Sequence, residues 1–253
     1  MACRDLEGRS VLVTGGGSGI GAACARALAG AGARVLVADM TAQAAEGVAA
    51  RIRGDGGDAK SAVADVRCAD QVEAMVAMAM ESFGRLDAAV NNAGIAMDPC
   101  TTADVTETDW LRIVDVNLNG VFRCMAAEIR AMLPNRRGAI VNIASVLGTV
   151  GSAGLAPYVA SKHGVIGLTR AAALDYARKG LRINAVCPGY IDTPMIHAEE
   201  GWSEREAYLS RLHPMARLGT DAEVVEMILF LLSDRAGFMT GGVHAVDGGY
   251  TAW

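Results

Sequence analysis

Short apolar runs rich in Val, Ile and Ala alternate with longer helical patterns along almost the whole chain. The runs expected to form strands are residues 10–14, 33–39, 59–65, 86–94, 138–145, 181–189 and 242–246. The helical patterns cover residues 20–32, 42–54, 69–84, 106–133, 157–177 and 221–233. Strands separated by helices join through right-handed crossovers, which build parallel sheets covered on both faces. We therefore predict an α/β fold, with one doubly wound seven-stranded parallel sheet in a single domain over residues 1–253.

The composition narrows the class of partner. With 23 basic and 28 acidic residues the net charge is −5 and no basic block occurs, which disfavours nucleic acid. No apolar run approaches the roughly 18 residues of a membrane span, and the first residues lack the apolar segment of a signal peptide. The six cysteines form no C-x-x-C pair, so neither disulfides nor a metal site is predicted. We expect a cytoplasmic protein with reduced thiols and no metal, membrane or nucleic-acid partner.

A glycine-rich turn, TGGGSGIG at residues 14–21, joins the first predicted strand to the first helix. Gly15, Gly19 and Gly21 fall in the spacing G-x-x-x-G-x-G. Glycines let the backbone approach a pyrophosphate, and a helix N-terminus offers N–H donors and the positive end of its dipole. A plain connection would also use glycines, so the turn alone leaves that alternative open.

Two acids follow the next two predicted strands and favour a dinucleotide. Asp39 closes the second strand, near the distance from the turn at which an acid reaches the adenosine ribose hydroxyls. It would repel the 2′-phosphate of NADP, and neither Met40 nor Ser18 offers a compensating cation, so NAD is the expected cofactor. Asp65 closes the third strand, where it would accept from the adenine amino group. Helix capping is the alternative role for such acids.

Tyr158 and Lys162 open the helix that begins with YVASK. Residues at i and i+4 share a helix face, so the phenol and the ammonium should point the same way. An ammonium roughly 5 Å from a phenolate, at an effective dielectric of about 20, stabilises it by about 3 kcal/mol, or about 2 pKa units. The pentapeptide alone also fits an ordinary surface pair, with the ring half buried and the amine in water. If the pair is functional, a phenol with a lowered pKa is usable as a base toward an alcohol or as an acid toward a ketone.

The ordered motifs TGGGSGIG, NNAG (91–94), VNLNG (116–120), Ser145 with Tyr158-x-x-x-Lys162, CPGYIDTPM (187–195) and DGG (247–249) resemble the short-chain dehydrogenase/reductase family over the whole chain. The resemblance implies a Rossmann-type fold and a hydride transfer between a nicotinamide and a secondary alcohol or ketone. It implies that Tyr158 is the acid/base, that Lys162 binds the nicotinamide ribose and lowers the Tyr158 pKa, and that Ser145 orients the substrate oxygen. Asn117 is implied to hold a water that links Lys162 to solvent.

The motifs together predict the cofactor contacts, which fall at the glycine turn and after the successive strands. The predicted contacts are Gly15, Ser18, Gly19, Ile20, Gly21, Asp39, Met40, Asp65, Val66, Asn92, Ala93, Gly94, Tyr158, Lys162, Pro188, Gly189, Ile191 and Thr193.

Two other functions stay open. A 3-oxoacyl-carrier-protein reductase of the same family would usually prefer NADPH. Basic residues that bind the 2′-phosphate would then be expected at the positions of Ser18 and Met40. A non-catalytic dinucleotide-sensing regulator would be expected to lose part of the Asn117, Ser145, Tyr158 and Lys162 set, which this chain keeps.

The least patterned stretch, residues 190–216, is predicted to be a substrate-binding loop. It mixes Met195, Ile196, Trp202, Tyr208, Leu209 and Met215 with few cations, which favours a hydrophobic or cyclic substrate. The loop and the GGYTAW tail also resemble, more weakly, family members that oxidise cyclic diols or other secondary alcohols. His197 and His213 are further candidates for substrate contact. Family resemblance implies a homotetramer, joined through the helices at 106–133 and 157–177 and by a second contact at the C-terminal strand.

Overall fold

Every strand found in the described residues belongs to one parallel sheet. The structure is a computed structural model that describes residues 5–197 and 202–252, without the side chains of 202–204. The strands are β1 (Ser10–Thr14), β2 (Arg34–Asp39), β3 (Asp58–Val63), β4 (Ala88–Asn91), β5 (Gly138–Ile143), β6 (Leu181–Pro188) and β7 (Val243–Val246). Their order across the sheet is β3-β2-β1-β4-β5-β6-β7, and each pairing is parallel. The predicted seven-stranded doubly wound sheet is confirmed.

Helices cover both faces of the sheet. They are α1 (Gly19–Gly30), α2 (Ala42–Gly54), α3 (Ala69–Phe83), α4 (Glu107–Val114), α5 (Gly120–Met132), α6 (Ala156–Tyr176), α7 (Pro194–His197), α8 (Trp202–Arg211) and α9 (Asp221–Leu232). Within the described residues, no helix combines the length and the hydropathy needed to cross a membrane.

The central strands are buried on both sides, as parallel strands between two helix layers must be. Side chains alternate along β1, so Val11 and Val13 join the core under α1, α2 and α9. Leu12 points the other way, into the core under α3, α5 and α6. Neither face of β1 meets water, which explains why its sequence is a continuous apolar run and not an alternating one.

The strand order reverses between β1 and β4. The chain first builds outward from β1 through β2 to β3, then returns to place β4 on the other side of β1. Thr14 ties the two strand ends together, because its hydroxyl accepts from the backbone N–H groups of Asn92 and Ala93 at 3.1 and 3.3 Å. Ligands of such sheets bind at this reversal, at the carboxyl ends of the strands.

Three predicted elements differ from the structure. The helix expected over 106–133 is α4, a π-helical turn (Asp115–Asn119) and α5. The third strand ends at Val63, so Asp65 lies beyond it. The stretch 190–216 contains α7 and α8 and is not structureless, although residues 198–201 lie outside the described part. α7 has only four residues and α8 is mostly polar, so neither carries the long apolar stripe by which helices are predicted.

Glu128, on α5, is fully buried against the sheet. Its Oε2 accepts from Asn91 Nδ2 at 3.0 Å, and the same amide also donates to Asn142 Oδ1 at 3.0 Å. Within the described residues its Oε1 has no hydrogen-bond partner. Burial raises the pKa of Glu128 to about 8, and the hydrogen bond from Asn91 offsets this only in part. The carboxyl group therefore keeps its proton at neutral pH.

We expect Glu128→Gln to stabilise the protein in alkaline solution. The folded state holds the Glu128 proton up to about pH 8, whereas the ordinary carboxyl pKa is 4.5. The unfolded chain therefore binds fewer protons across this window, and the free energy of unfolding falls as pH rises through it. Glutamine keeps the shape and removes the ionisation, so at pH 8.5 the variant should gain on the order of a few kcal/mol and at pH 5 very little. Urea unfolding at both pH values measures this.

The control is Glu81→Gln, which removes an exposed glutamate from α3. It should leave the pH dependence of stability as in the wild type. If Glu128→Gln also leaves it unchanged, the Glu128 carboxyl is not a buried neutral acid.

Candidate active site

A cleft of about 440 Å³ opens at the carboxyl ends of β1 and β2. Gly15 and Gly19 shape its floor with φ angles of 61° and 48°, in the left-handed region that favours glycine. A side chain at Gly15 would place its Cβ 2.8 Å from the Ala93 Cα. The N–H groups in the first turn of α1 have no acceptor within the helix, and the Ser18 side chain does not cap them. This floor fits a pyrophosphate.

Asp39 lies at the end of β2 on the wall of the same cleft, as predicted from the sequence. Its Oδ2 accepts from the Gly17 N–H and its Oδ1 from the Thr41 N–H, each at 3.0 Å. An ionised carboxylate offers about four acceptor positions, so two are left for further donors. The group is therefore positioned and still able to bind a vicinal diol such as a ribose.

Asp65 is less available than the sequence suggested. Its carboxylate makes a bidentate ion pair with Arg67, whose guanidinium donates at 2.6 to 3.0 Å. This hydrogen-bonded pairing lowers the Asp65 pKa. Arg67 and Arg112 also line the cleft, and sequence reasoning missed both of these cations. The spacing Asp-x-Arg at 65–67 is the signal that would have indicated the first.

A second cavity, of about 200 Å³, continues from the first. The two share Ile20, Asn92, Gly94, Ile95, Thr193 and Met195. Ser145, Tyr158 and Lys162 line the second cavity together. Ser145 begins the 3₁₀ turn that follows β5, and the other two side chains lie one turn apart on α6. The structure thus brings together the three groups that were predicted to act on a substrate oxygen.

The hydrogen bonds of Ser145 and Lys162 fix which donors face the cavity. Ser145 Oγ accepts from the Leu147 N–H at 3.2 Å, and the same side chain is hydrogen-bonded with Tyr158. Lys162 Nζ donates to the Ile143 carbonyl at 2.9 Å and lies 5.6 Å from the centre of the Tyr158 ring. An ammonium has three donors, so two remain for a ligand.

The pKa of Tyr158 contradicts one expectation. Burial of its hydroxyl raises that pKa, and a hydrogen bond with Ser145 lowers it. Burial also lowers the pKa of Lys162 to about 8. The protein groups alone therefore do not depress the Tyr158 pKa as the i, i+4 spacing predicted, because desolvation acts on both groups and disfavours both charges.

Asn117 is fully buried in the π-helical turn between α4 and α5. Its side chain holds the backbone of Ile95, accepting from the N–H at 2.8 Å and donating to the carbonyl at 2.9 Å. A Cβ at Gly94 would lie 3.3 Å from Asn117 Oδ1 and 3.7 Å from Lys162 Nζ. Asn117 thus positions the strip of backbone that lies beside Lys162, and its predicted water-holding role stays a prediction.

All of the predicted cofactor contacts except Gly21 line at least one of the two cavities. Those lining one or both cavities are Gly15, Ser18, Gly19, Ile20, Asp39, Met40, Asp65, Val66, Asn92, Ala93, Gly94, Tyr158, Lys162, Pro188, Gly189, Ile191 and Thr193. Gly21 does not line either cavity. Its Cβ would lie 2.1 Å from the Gly15 carbonyl oxygen, so glycine is needed there for close packing under the turn.

The predicted substrate loop reaches the second cavity only in part. Met195 and Ile196 line that cavity, whereas Leu209 is buried elsewhere, Tyr208 and Met215 are exposed, and the side chain of Trp202 lies outside the described residues. Tyr190 and Arg205 also line this cavity and lie within the predicted loop, although the sequence did not single them out. The lining residues missed altogether include Ala96, Met97, Pro99 and Leu155. They come from separated segments that no single sequence window contains.

Neither histidine candidate lines the second cavity. His197 Nε2 lies 2.6 Å from Asp192 Oδ1 at the surface. His213 is buried between the Tyr190 and Tyr250 rings, where its Nε2 accepts from the Tyr190 N–H at 3.2 Å and its Nδ1 lies 2.9 Å from the Leu209 carbonyl. A structural role accounts for all of its polar contacts.

Several known proteins resemble this chain in sequence or in structure. The sequence profile of the family described as Enoyl-(Acyl carrier protein) reductase matches residues 15–251. Cyclohexanol dehydrogenase of Acinetobacter sp. (strain SE19) is 46% identical over 98% of this chain and 96% of its own length. Cis-4-hydroxycyclohexanecarboxylate dehydrogenase of Sinomonas cyclohexanicum is 43% identical over 96% of this chain and 97% of its own. The crystal structure of levodione reductase superposes with a TM-score of 0.95 at 37% identity, over 98% of this chain and 99% of that one.

The fold, the motifs and these relatives identify the family. The chain belongs to the short-chain dehydrogenase/reductase family, and it is an oxidoreductase acting on CH–OH groups.

Proposed function

We propose that the protein oxidises a secondary alcohol on a six-membered ring to the ketone, with NAD as the hydride acceptor and Tyr158 as the proton acceptor. The observation that carries the proposal is the shared cavity of Ser145, Tyr158 and Lys162, which opens directly into the cleft of Asp39. The oxidised nicotinamide, when bound, accepts the hydride from the carbinol carbon.

Ser145 and Tyr158 have separate roles at the substrate oxygen. Ser145 donates its hydroxyl proton to the substrate oxygen and orients it. Tyr158, once ionised to its phenolate, takes the proton of the alcohol as the C–H bond breaks, and in the reverse direction the phenol returns that proton. Burial raises the pKa of Tyr158 in the protein alone, and the positive charge of an oxidised nicotinamide, when bound, would act in the opposite direction and stabilise the phenolate.

The size and lining of the second cavity support a ring substrate. An apolar cavity of roughly 150 Å³ holds benzene, and this one is about 200 Å³. Its walls include Ile95, Met97, Val146, Leu147 and Leu155. The two relatives are named for an uncharged and for a carboxylated cyclohexanol, so their names support the ring and leave its substituent open.

The direct experiment is a panel of secondary alcohols assayed with NAD and with NADP. Cyclohexanols should be oxidised with NAD faster than open-chain alcohols of the same carbon number. No turnover of any alcohol with either cofactor would refute the proposed function.

The two alternatives are less well supported. A 3-oxoacyl-carrier-protein reductase that prefers NADPH would have to accept a 2′-phosphate beside Asp39. The two cations among the described residues of that cleft are already paired, Arg67 with Asp65 and Arg112 with Asp109. A non-catalytic regulator has no use for a serine, a tyrosine and a lysine held in one cavity. The cytoplasmic location stays a prediction from the sequence.

We propose further that the protein is a homotetramer. Large apolar side chains are exposed on consecutive helices, namely Trp110 and Leu111 on α4, Phe122 on α5 and Leu174 on α6. Leu174 is 83% exposed, and an apolar surface of this kind is typical of an interface.

Light scattering at micromolar concentration should give the tetramer mass, and Phe122→Glu with Leu174→Glu should lower it. Val63→Glu, which changes an exposed residue on the edge strand β3, is the matched control and should leave the mass unchanged. A wild-type protein that is a stable monomer would contradict the proposal.

A further inference from the structure

The charged side chains that line the second cavity are all positive among the described residues. Among its described lining residues there are two cations, Lys162 and Arg205, and no Asp or Glu. Lys162 lies beside the Tyr158 ring and donates to the Ile143 carbonyl, so it belongs to the catalytic group. Arg205 has no part in that group.

Arg205 lies on α8, whereas Ser145 and Tyr158 lie after β5 and on α6. Ser145, Tyr158 and Lys162 therefore line the cavity together with Arg205, which comes from a different element. Arg205 is partly buried, and its charge acts on Tyr190: burial and Tyr250 raise the pKa of Tyr190 to about 12, and Arg205 opposes that rise. A cation that stabilises an anion at the Tyr190 hydroxyl also stabilises an anionic ligand in the same place.

We propose that Arg205 is a specificity-determining residue that binds an anionic substituent, such as a carboxylate, carried by the ring of the secondary alcohol. This inference rests on the proposed function and names its substrate class. The apolar walls weaken solvent screening, so a charge-assisted hydrogen bond is stronger there than at the surface. The guanidinium has five N–H donors, so it binds the substituent whether or not it also keeps a contact within the chain.

The test compares 4-hydroxycyclohexanecarboxylate with its uncharged carboxamide, which is nearly the same shape. With NAD, wild-type kcat/KM should favour the acid at least about tenfold, since a charged hydrogen bond contributes about 1.5–3 kcal/mol. Arg205→Met should lower that ratio at least tenfold through the KM of the acid, and Arg205→Lys should restore part of it. Arg211→Met, which changes an exposed arginine of the same helix, should leave the ratio as in the wild type.

A second measurement does not need turnover. Cyclohexanecarboxylate should bind the wild-type protein in the presence of NAD more tightly than cyclohexanecarboxamide by calorimetry, and Arg205→Met should remove the difference. A wild type that prefers the amide in binding or kinetics, or an Arg205→Met ratio equal to the wild-type ratio, overturns the inference. Oxidation of cyclohexanol with an unchanged ratio would refute only this inference, whereas no oxidation of any alcohol would refute the proposed function.

Discussion

Replacing Tyr158 with phenylalanine should lower kcat by about 10²–10⁴-fold, the range that a general acid/base contributes. The change removes one hydroxyl and keeps the ring beside Lys162, whose ammonium lies 5.6 Å from the ring centre. Ser145 and Lys162 keep their own hydrogen bonds to Leu147 and Ile143, so the cavity should hold its shape. The measurements are kcat with a cyclohexanol and the Kd of NAD, and that Kd should change little.

The matched control is Tyr176→Phe, which removes a hydroxyl from the same helix α6 at its far end, where the ring lies under Lys179. Its kcat should equal that of the wild type. A Tyr158→Phe enzyme with wild-type kcat would rule out Tyr158 as the acid/base.

The second large effect concerns the choice of cofactor. We expect kcat/KM for NAD to exceed that for NADP by at least about a hundredfold, because a like-charge contact costs several kcal/mol and each 1.4 kcal/mol is a factor of ten. Asp39 is held in the cleft by the N–H groups of Gly17 and Thr41, so it cannot easily swing away from a 2′-phosphate. The double variant Asp39→Ser, Met40→Arg should narrow or invert the ratio, since Met40 is exposed on the same wall.

Two further variants separate charge from shape in this experiment. Asp39→Asn removes the charge and keeps an acceptor for the backbone, so it should narrow the ratio without the added arginine. Asp58→Ser changes an exposed acid at the opposite end of the neighbouring strand β3 and should leave the ratio unaltered. Equal use of both cofactors by the wild type would show that the Asp39 carboxylate does not face the ribose.

The fold was predictable because its strands and helices each carry a local signal. The run from Val11 to Val13 places apolar side chains on both faces of the sheet, which indicates a strand that lies between two helix layers. The π-helical turn at Asn117 was not predictable, because the residues around it continue an ordinary helical pattern. The helices α7 and α8 were missed because α7 has only four residues and α8 is mostly polar.

The predicted site depended on residues at strand ends or just beyond them. Asp39 and Ser145 lie in the two cavities that the strand pattern indicated. The sequence did not reveal the contacts and the burial of the individual site residues. Gly21 packs under the turn, Arg67 occupies the Asp65 carboxylate, and burial reverses the expected shift of the Tyr158 pKa. Arg205 lines the second cavity although it lies on α8, far along the chain from Ser145 and Tyr158.

The most direct test of the proposed chemistry follows the hydrogen on the carbinol carbon. Cyclohexanol deuterated at that carbon should transfer its deuterium to the NADH formed, as detected by mass spectrometry, and the wild type should produce cyclohexanone in equal amount. Deuterium released into water, or NADH formed without the label, would contradict hydride transfer from a secondary alcohol in the cavity of Ser145, Tyr158 and Lys162.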